Sequence, residues 1–434
     1  MPDGFGQGEW VGNITIHPVG VVILLVCVLF TFVNKRSNAL LPFVFLLCFV
    51  SPAQRVVVAT IDFNFFRLLL VLLFFRILIN GEYKHIRVCM FDKFFAVFVL
   101  VKTSIYLISS GNLGDPLGSG GDIFIVYFVG RCLIRSTKDF EVILRFLALL
   151  SIPVCALFVV ENTTGRNLFS VFGGVPEYTK VRDGRLRCQG AFPHPIIAGC
   201  FWAVLFPLFV GAISSNKRNL IFYIACVCSV VIVVTTASST PLLSLLSAVI
   251  LIVMYMFRKH LRKIRWATLL ILVSLHLVMT APVWHLISRV GAVGGSTGYF
   301  RFLLIDSFIS RFNEWALLGT NYTGHWFFGA QDLANEFVLM GVRSGFLGLS
   351  LFVVVIALSF KYVGRSLHLL NGSPNIFFIW CIGVSLTVHC ISFIGVSYFG
   401  QPVFLFYLMF PVIFNVYIHN LQKKKAALLE RREV

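Results

Sequence analysis

The chain is 434 residues long, 58% hydrophobic and 12% charged, with a mean hydropathy of +0.90, which excludes a soluble domain and leaves an integral membrane protein. Its formal net charge of +18 would suit a nucleic-acid binder, but the basic residues at 35–36, 84–87, 217–218, 258–265 and 423–425 each lie directly beside an apolar run. There they read as anchors facing anionic headgroups, and no nucleic-acid partner is expected.

Apolar runs of helix-spanning length recur along the chain. They centre near Cys27, Leu46, Val71, Phe98, Val126, Leu150, Val204, Cys228, Ala248, Ser274, Phe352, Val384 and Phe406, which predicts about thirteen spans. The runs at 21–32 and 65–78 are nearly continuous rather than alternating, so a β-barrel is set aside. The expected fold class is all-α: a polytopic transmembrane helical bundle forming one integral domain over 1–434. Two large polar loops interrupt it, at 161–195 and 285–344. If the acidic, Lys-free first ten residues lie outside, strict alternation puts every basic anchor and the C-terminal tail in the cytoplasm. The same alternation puts 111–121, 162–195, 236–241 and 288–343 on the outer face. The expected setting is a bacterial inner membrane, with a periplasmic N-terminus and both large loops periplasmic. The eleven Cys residues fall mostly inside apolar runs without metal-ligand spacing and read as small core residues.

Five cations lie within the early spans. Arg67 and Lys102 fall towards outer ends, where ionisable groups usually face a bundle interior or wet cavity. Arg76, Arg131 and Arg145 fall near cytoplasmic ends and are expected to snorkel. His276 and His389 are lone His residues within spans and read as hydrogen-bonded packing residues.

The two large loops hold cations against the usual cytoplasmic bias, which calls for an anionic ligand. The first loop carries Arg166, Lys180, Arg182, Arg185 and Arg187, and runs into Gly190 to Pro195 at the mouth of the next span. Arg presents a fork of donors that matches diphosphate oxygens, and Pro193 and Pro195 beside His194 fix the turn that would hold them there. The bland alternative is pairing with Glu177 and Asp183 or with lipid headgroups. The second loop carries Arg289, Arg301, Arg311 and Arg343, and a flexible Gly294–Gly298 entry to a mostly apolar stretch that reads as a short surface helix. Asp306, Glu314, His325, Asp332 and Glu336 supply its acid and base candidates. No His/Cys cluster or DxD pair occurs in these loops, so neither a metal nor another cofactor is expected. No cytoplasmic loop is long enough to fold as a domain and no GxxxxGK loop is present, so substrates must come from the bilayer or the outer side.

The segment 185–203, RLRCQGAFPHPIIAGCFWA, the stretch 236–242, TASSTPL, and the loop ending in Asn335-Glu336-Phe337 before Gly345-Phe346-Leu347-Gly348-Leu349 resemble the O-antigen ligase and polymerase superfamily, most closely its exopolysaccharide polymerases. In that superfamily the last large external loop carries an early Arg, a central Trp and Gly, and a His-Asn pair ahead of a Gly-rich span start. Arg301, Trp315, Gly319, Asn335 and Gly345 fall at matching places, whereas Ala334 stands where the His would be.

The resemblance implies a metal-independent glycosyltransferase that polymerises polyprenyl-diphosphate-linked oligosaccharide, beside a flippase and a chain-length regulator. Arg182, Arg185, Arg187, His194, Arg289, Arg311, Asn335, Arg67 and Lys102 are the expected substrate contacts. Arg301 would take up leaving-group charge, and Asp332, Glu314 or His325 would act as base. A ligase acting on lipid A core is one alternative, to which the missing His is a departure. A flippase is another, though it should show two related halves and broken midplane helices, and the sequence has no evident internal repeat.

Overall fold

The computed structural model describes residues 14–58, 61–215, 219–289 and 297–430. Each predicted span centre falls within a helix. In chain order these are α1 (Pro18–Val33), α2 (Leu41–Phe49), α3 (Phe65–Ile79), α4 (Met90–Ser110), α5 (Gly114–Leu133), α6 (Thr137–Thr164), α7 (Pro195–Ser215), α8 (Leu220–Thr235), α9 (Ser239–Val253) and α10 (Leu261–Val278). Short helices α11 (Leu286–Arg289), α12 (Thr297–Ser310) and α13 (Phe312–Trp315) precede α14 (Glu336–Leu369), α15 (Ile376–Gly395) and α16 (Gln401–Glu430). Six helices among the described residues, rather than thirteen, have the length and apolarity to cross a membrane; α1 and α8 are shorter apolar helices. The all-α membrane bundle therefore stands, with two small antiparallel strand pairs at its margin: β1 (Arg55–Val58) with β2 (Ile61–Asn64), and β3 (Val181–Arg182) with β4 (Arg185–Leu186).

Local chemistry sets the helix ends. A capping box between Ser136 and Asp139 opens α6, and left-handed Gly165 closes it. Helices α7, α15 and α16 are buried over most of their length and form the centre, whereas α10 has no buried residue. The segment from Ser239 to Val278 runs on as one apolar helical stretch of 40 residues, which if straight would part its ends by roughly 60 Å. Instead both ends reach α12. Thr240 accepts from Arg301, and Trp284, beyond the far end, donates from Nε1 to Asp306 at 3.1 Å. The segment therefore bends, and the 3₁₀ stretch Met254–His260 separates α9 from α10.

At one end of the bundle, Arg76 and Arg131 are buried in ion pairs with Glu82 (3.0 Å) and Asp92 (2.8 Å), and Arg36 pairs with Asp139 at 3.1 Å. This corrects the expectation that Arg76 and Arg131 snorkel, because burying an unpaired cation costs more than supplying a carboxylate beside it. Arg145 is exposed. The opposite end gathers 111–121, the 161–195 loop, 236–241 and the second loop.

Helix α14 is broken by Gly345, at φ 64° and ψ −176°, a conformation open essentially to Gly. A Cβ at Gly345 would stand 2.6 Å from the Leu317 carbonyl oxygen, and one on Gly319 would strike that of Val342. Phe346 N–H donates to Ala316 O at 2.8 Å. Trp315 packs with Leu304, Trp326, Ala330, Val338 and Val342 in a small separate core. Trp315, Gly319 and Gly345 thus seat the second loop on the kink of α14.

Candidate active site

The first loop is fixed from beneath by Glu161, the fully buried acid near the end of α6. Its carboxylate accepts from Gln189 N (2.9 Å), Gly190 N (3.0 Å) and Thr179 Oγ1 (3.0 Å). Asn167 donates to Gly190 O at 2.9 Å, and Cys188 N to Thr235 O at 3.2 Å. Arg187 is thereby carried over the α8–α9 turn, where it donates from Nη2 to Ser238 Oγ at 2.8 Å. Its Nε is buried with no hydrogen-bond partner.

Arg301 reaches the same helix start from the second loop. Its Nη2 donates to Thr240 Oγ1 at 2.8 Å and to Gly395 O at 3.2 Å. Among the described residues neither Arg187 nor Arg301 has a carboxylate in salt-bridge range. Burial holds both guanidinium groups below their usual pKa, with repulsion from Arg182 adding to the effect on Arg187. His194 lies near Arg187, its Nδ1 accepting from Ile196 N at 3.1 Å as α7 starts. Burial and then the nearby Arg187, Lys180 and Arg182 push its pKa down to about 3, so the ring is neutral at pH 7.

Most of the other predicted cations are neutralised. Arg67 forms a two-pronged ion pair with Asp122, both contacts at 2.8 Å, so it does not extend a free cationic surface. Arg166 pairs with Glu177 (2.7 Å), Arg182 with Asp183 (3.6 Å), Arg311 with Glu314 (3.0 Å) and Arg343 with Asp115 (3.8 Å). Lys102 is buried and, among the described residues, has Ser119 Oγ at 3.4 Å as its one hydrogen-bond partner. Asn335 caps α14, accepting from Phe337 N and Val338 N, and donates to Ile394 O at 3.3 Å. The side chain of Arg289 and residues 290–296, which include most of the expected flexible entry, lie outside the described residues.

Arg185 remains exposed and, among the described residues, without a carboxylate partner. With Asn162, Leu186, Thr235, Ala237 and Leu242 it lines an open cleft of about 420 Å³ beside the Arg187–Ser238 contact. The cleft joins apolar walls to a cation.

The acid and base candidates separate into two groups. Among the described residues Asp332 has no hydrogen-bonded or ionic partner for its carboxylate, and burial raises its pKa to about 6. It stands shortly before Asn335, which touches Ile394, the neighbour of the Gly395 that holds Arg301. Gly329, whose carbonyl accepts from Asp332 N at 3.0 Å, lies against Phe300, next to Arg301. Glu314 instead meets His325 Nε2 at 2.8 Å, Trp326 Nε1 at 2.9 Å and Arg311 at 3.0 Å. These contacts, Trp326 foremost, hold the exposed carboxyl below its usual pKa. Among the described residues no group of three His, Cys, Asp or Glu side chains is placed to hold a metal ion.

No protein-family model matches the chain, and no curated protein matches it significantly.

Proposed function

We propose that the protein is a membrane glycosyltransferase that polymerises polyprenyl-diphosphate-linked oligosaccharide units at the periplasmic face of a bacterial inner membrane. One observation carries this reading: two half-buried Arg side chains, one from each large loop and without carboxylate partners among the described residues, converge on Ser238 and Thr240. Burying cations without counter-charge is costly, and an anionic substrate supplies the missing partner.

In this reading Arg187 and Arg301 hold the donor diphosphate, with Arg185 at the rim. Asp332 takes the proton from an acceptor sugar hydroxyl as its oxygen bonds to the donor's anomeric carbon. The bond from that carbon to the phosphate oxygen breaks, and both electrons leave on the diphosphate. The developing charge falls between the guanidinium groups. The flippase and chain-length regulator belong to this proposal as partners.

The test is incubation of the purified protein in lipid with polyprenyl-diphosphate oligosaccharide, without nucleotide or divalent metal. A ladder of repeat lengths is expected. A single product formed only with lipid A core would make the protein a ligase, and movement of lipid-linked sugar between leaflets without any product would make it a transporter.

A further inference from the structure

The Glu314–His325 pair is not absorbed by the mechanism, and its surroundings have a distinct chemistry. Tyr322 is 61% exposed and stacks against His325, with centroids 5.6 Å apart and planes inclined by 22°. Gln331 Nε2 and the Tyr322 hydroxyl both lie beside Gly324. The patch therefore presents an aromatic ring amid planar polar groups: a carboxylate, an imidazole, an amide and the Arg311 guanidinium. Such groups form paired, in-plane hydrogen bonds to neighbouring hydroxyls, while a ring packs on the C–H face of a sugar.

The patch is also rigid. Trp326 and Trp315 are buried beneath it, and Phe308 stacks on Trp315 with centroids 3.9 Å apart. Thr323 Oγ1 donates to Ala330 O at 2.7 Å, closing the 323–330 loop. Tyr322 and Asp332 flank that closure, so chain geometry keeps their Cα atoms within roughly 20 Å, a few sugar units.

We propose that Tyr322, His325, Glu314 and Gln331 form a glycan-binding subsite that holds sugars beyond the one at the reacting centre. This rests on the transferase reading above, since it takes its occupant from continuity with Asp332. Glu314 and His325 act here in binding and not as the base.

The probe is oligosaccharide released by mild acid from the host's own surface polysaccharide, which carries no diphosphate. Binding to the full-length protein in micelles is measured directly. The wild type is expected to bind, Tyr322→Ala and Glu314→Gln to weaken binding at least about tenfold, Tyr322→Trp to retain it, and Arg301→Ala to leave it unchanged. Failure of Arg301→Ala to abolish polymer synthesis would overturn the diphosphate role and leave the glycan measurement readable. No binding by the wild type, or equal binding by Tyr322→Ala, overturns the subsite. So does a Tyr322→Ala effect confined to lipid association, which would assign the ring to membrane headgroups.

Discussion

Arg187 and Arg301 donate to hydroxyls two positions apart on one helix start, Ser238 and Thr240, though they lie 51 and 61 residues from those partners in the chain. If both grip one diphosphate, their effects on catalysis couple. Single Ala variants are each expected to lower kcat/KM by about 10²-fold or more, and the double variant by clearly less than the product. A steady-state double-mutant cycle on lipid-linked substrate measures this; strictly multiplicative losses would put the two residues in separate sites.

Stability should respond in the opposite sense from activity. Among the described residues Arg301 is a desolvated cation with two neutral acceptors and no counter-charge, so replacing it removes a desolvation cost and strands no buried carboxylate there. Arg301→Gln is expected to melt at or above the wild-type temperature in the same detergent while losing activity. A fall of several degrees would make the residue a structural strut.

Glu161 acts through Arg187. Its carboxylate is the acceptor for two buried loop amides, and removing it leaves donors without partners at about 1–3 kcal/mol each. Glu161→Ala is expected to lower Tm and raise KM together, because the loop that carries Arg187 loses its anchor. Glu161→Gln, with one carbonyl oxygen left, should fall between. Tm and KM on the same preparations decide it.

The helices were largely legible in the sequence because apolar runs are long-range signals that survive any packing. Which cations would be free was not. Arg67, inside an apolar run, and Arg187, in a cluster of loop cations, are both expected to face an anionic ligand, yet one meets Asp122 and the other Ser238. That difference depends on helix neighbours far apart in sequence. The TASSTPL stretch was marked by resemblance, but its role as the meeting point of both loops needed three dimensions. Glu161 was missed, although a lone acid at the end of an apolar span carries a signal of its own: it must find buried donors. Asn335, expected among the substrate contacts, caps α14.

The kink of α14 offers a structural control. Gly345→Ala would place a Cβ 2.6 Å from Leu317 O in a conformation closed to L side chains. The expected cost is about 1–3 kcal/mol, with faster proteolysis in 312–335 as the loop loses its seat. Gly364→Ala, in open space on the same helix, should be silent in both assays.

The base assignment makes a pH prediction with a fixed sign. Burial raises the Asp332 carboxyl to about 6, and the base works only when ionised, so activity should rise with pH through that region and level off above it. The binding Arg residues stay charged across that region and add no alkaline limb there. Asp332→Asn should lose about 10²–10⁴-fold in kcat with little change in KM, since a base acts in the transition state and not in ground-state binding. Asp332→Glu should keep part of the rate and shift the limb. If the limb instead survives in Asp332→Asn and disappears in His325→Gln, the base is the histidine held by Glu314, and the patch around it would belong to catalysis.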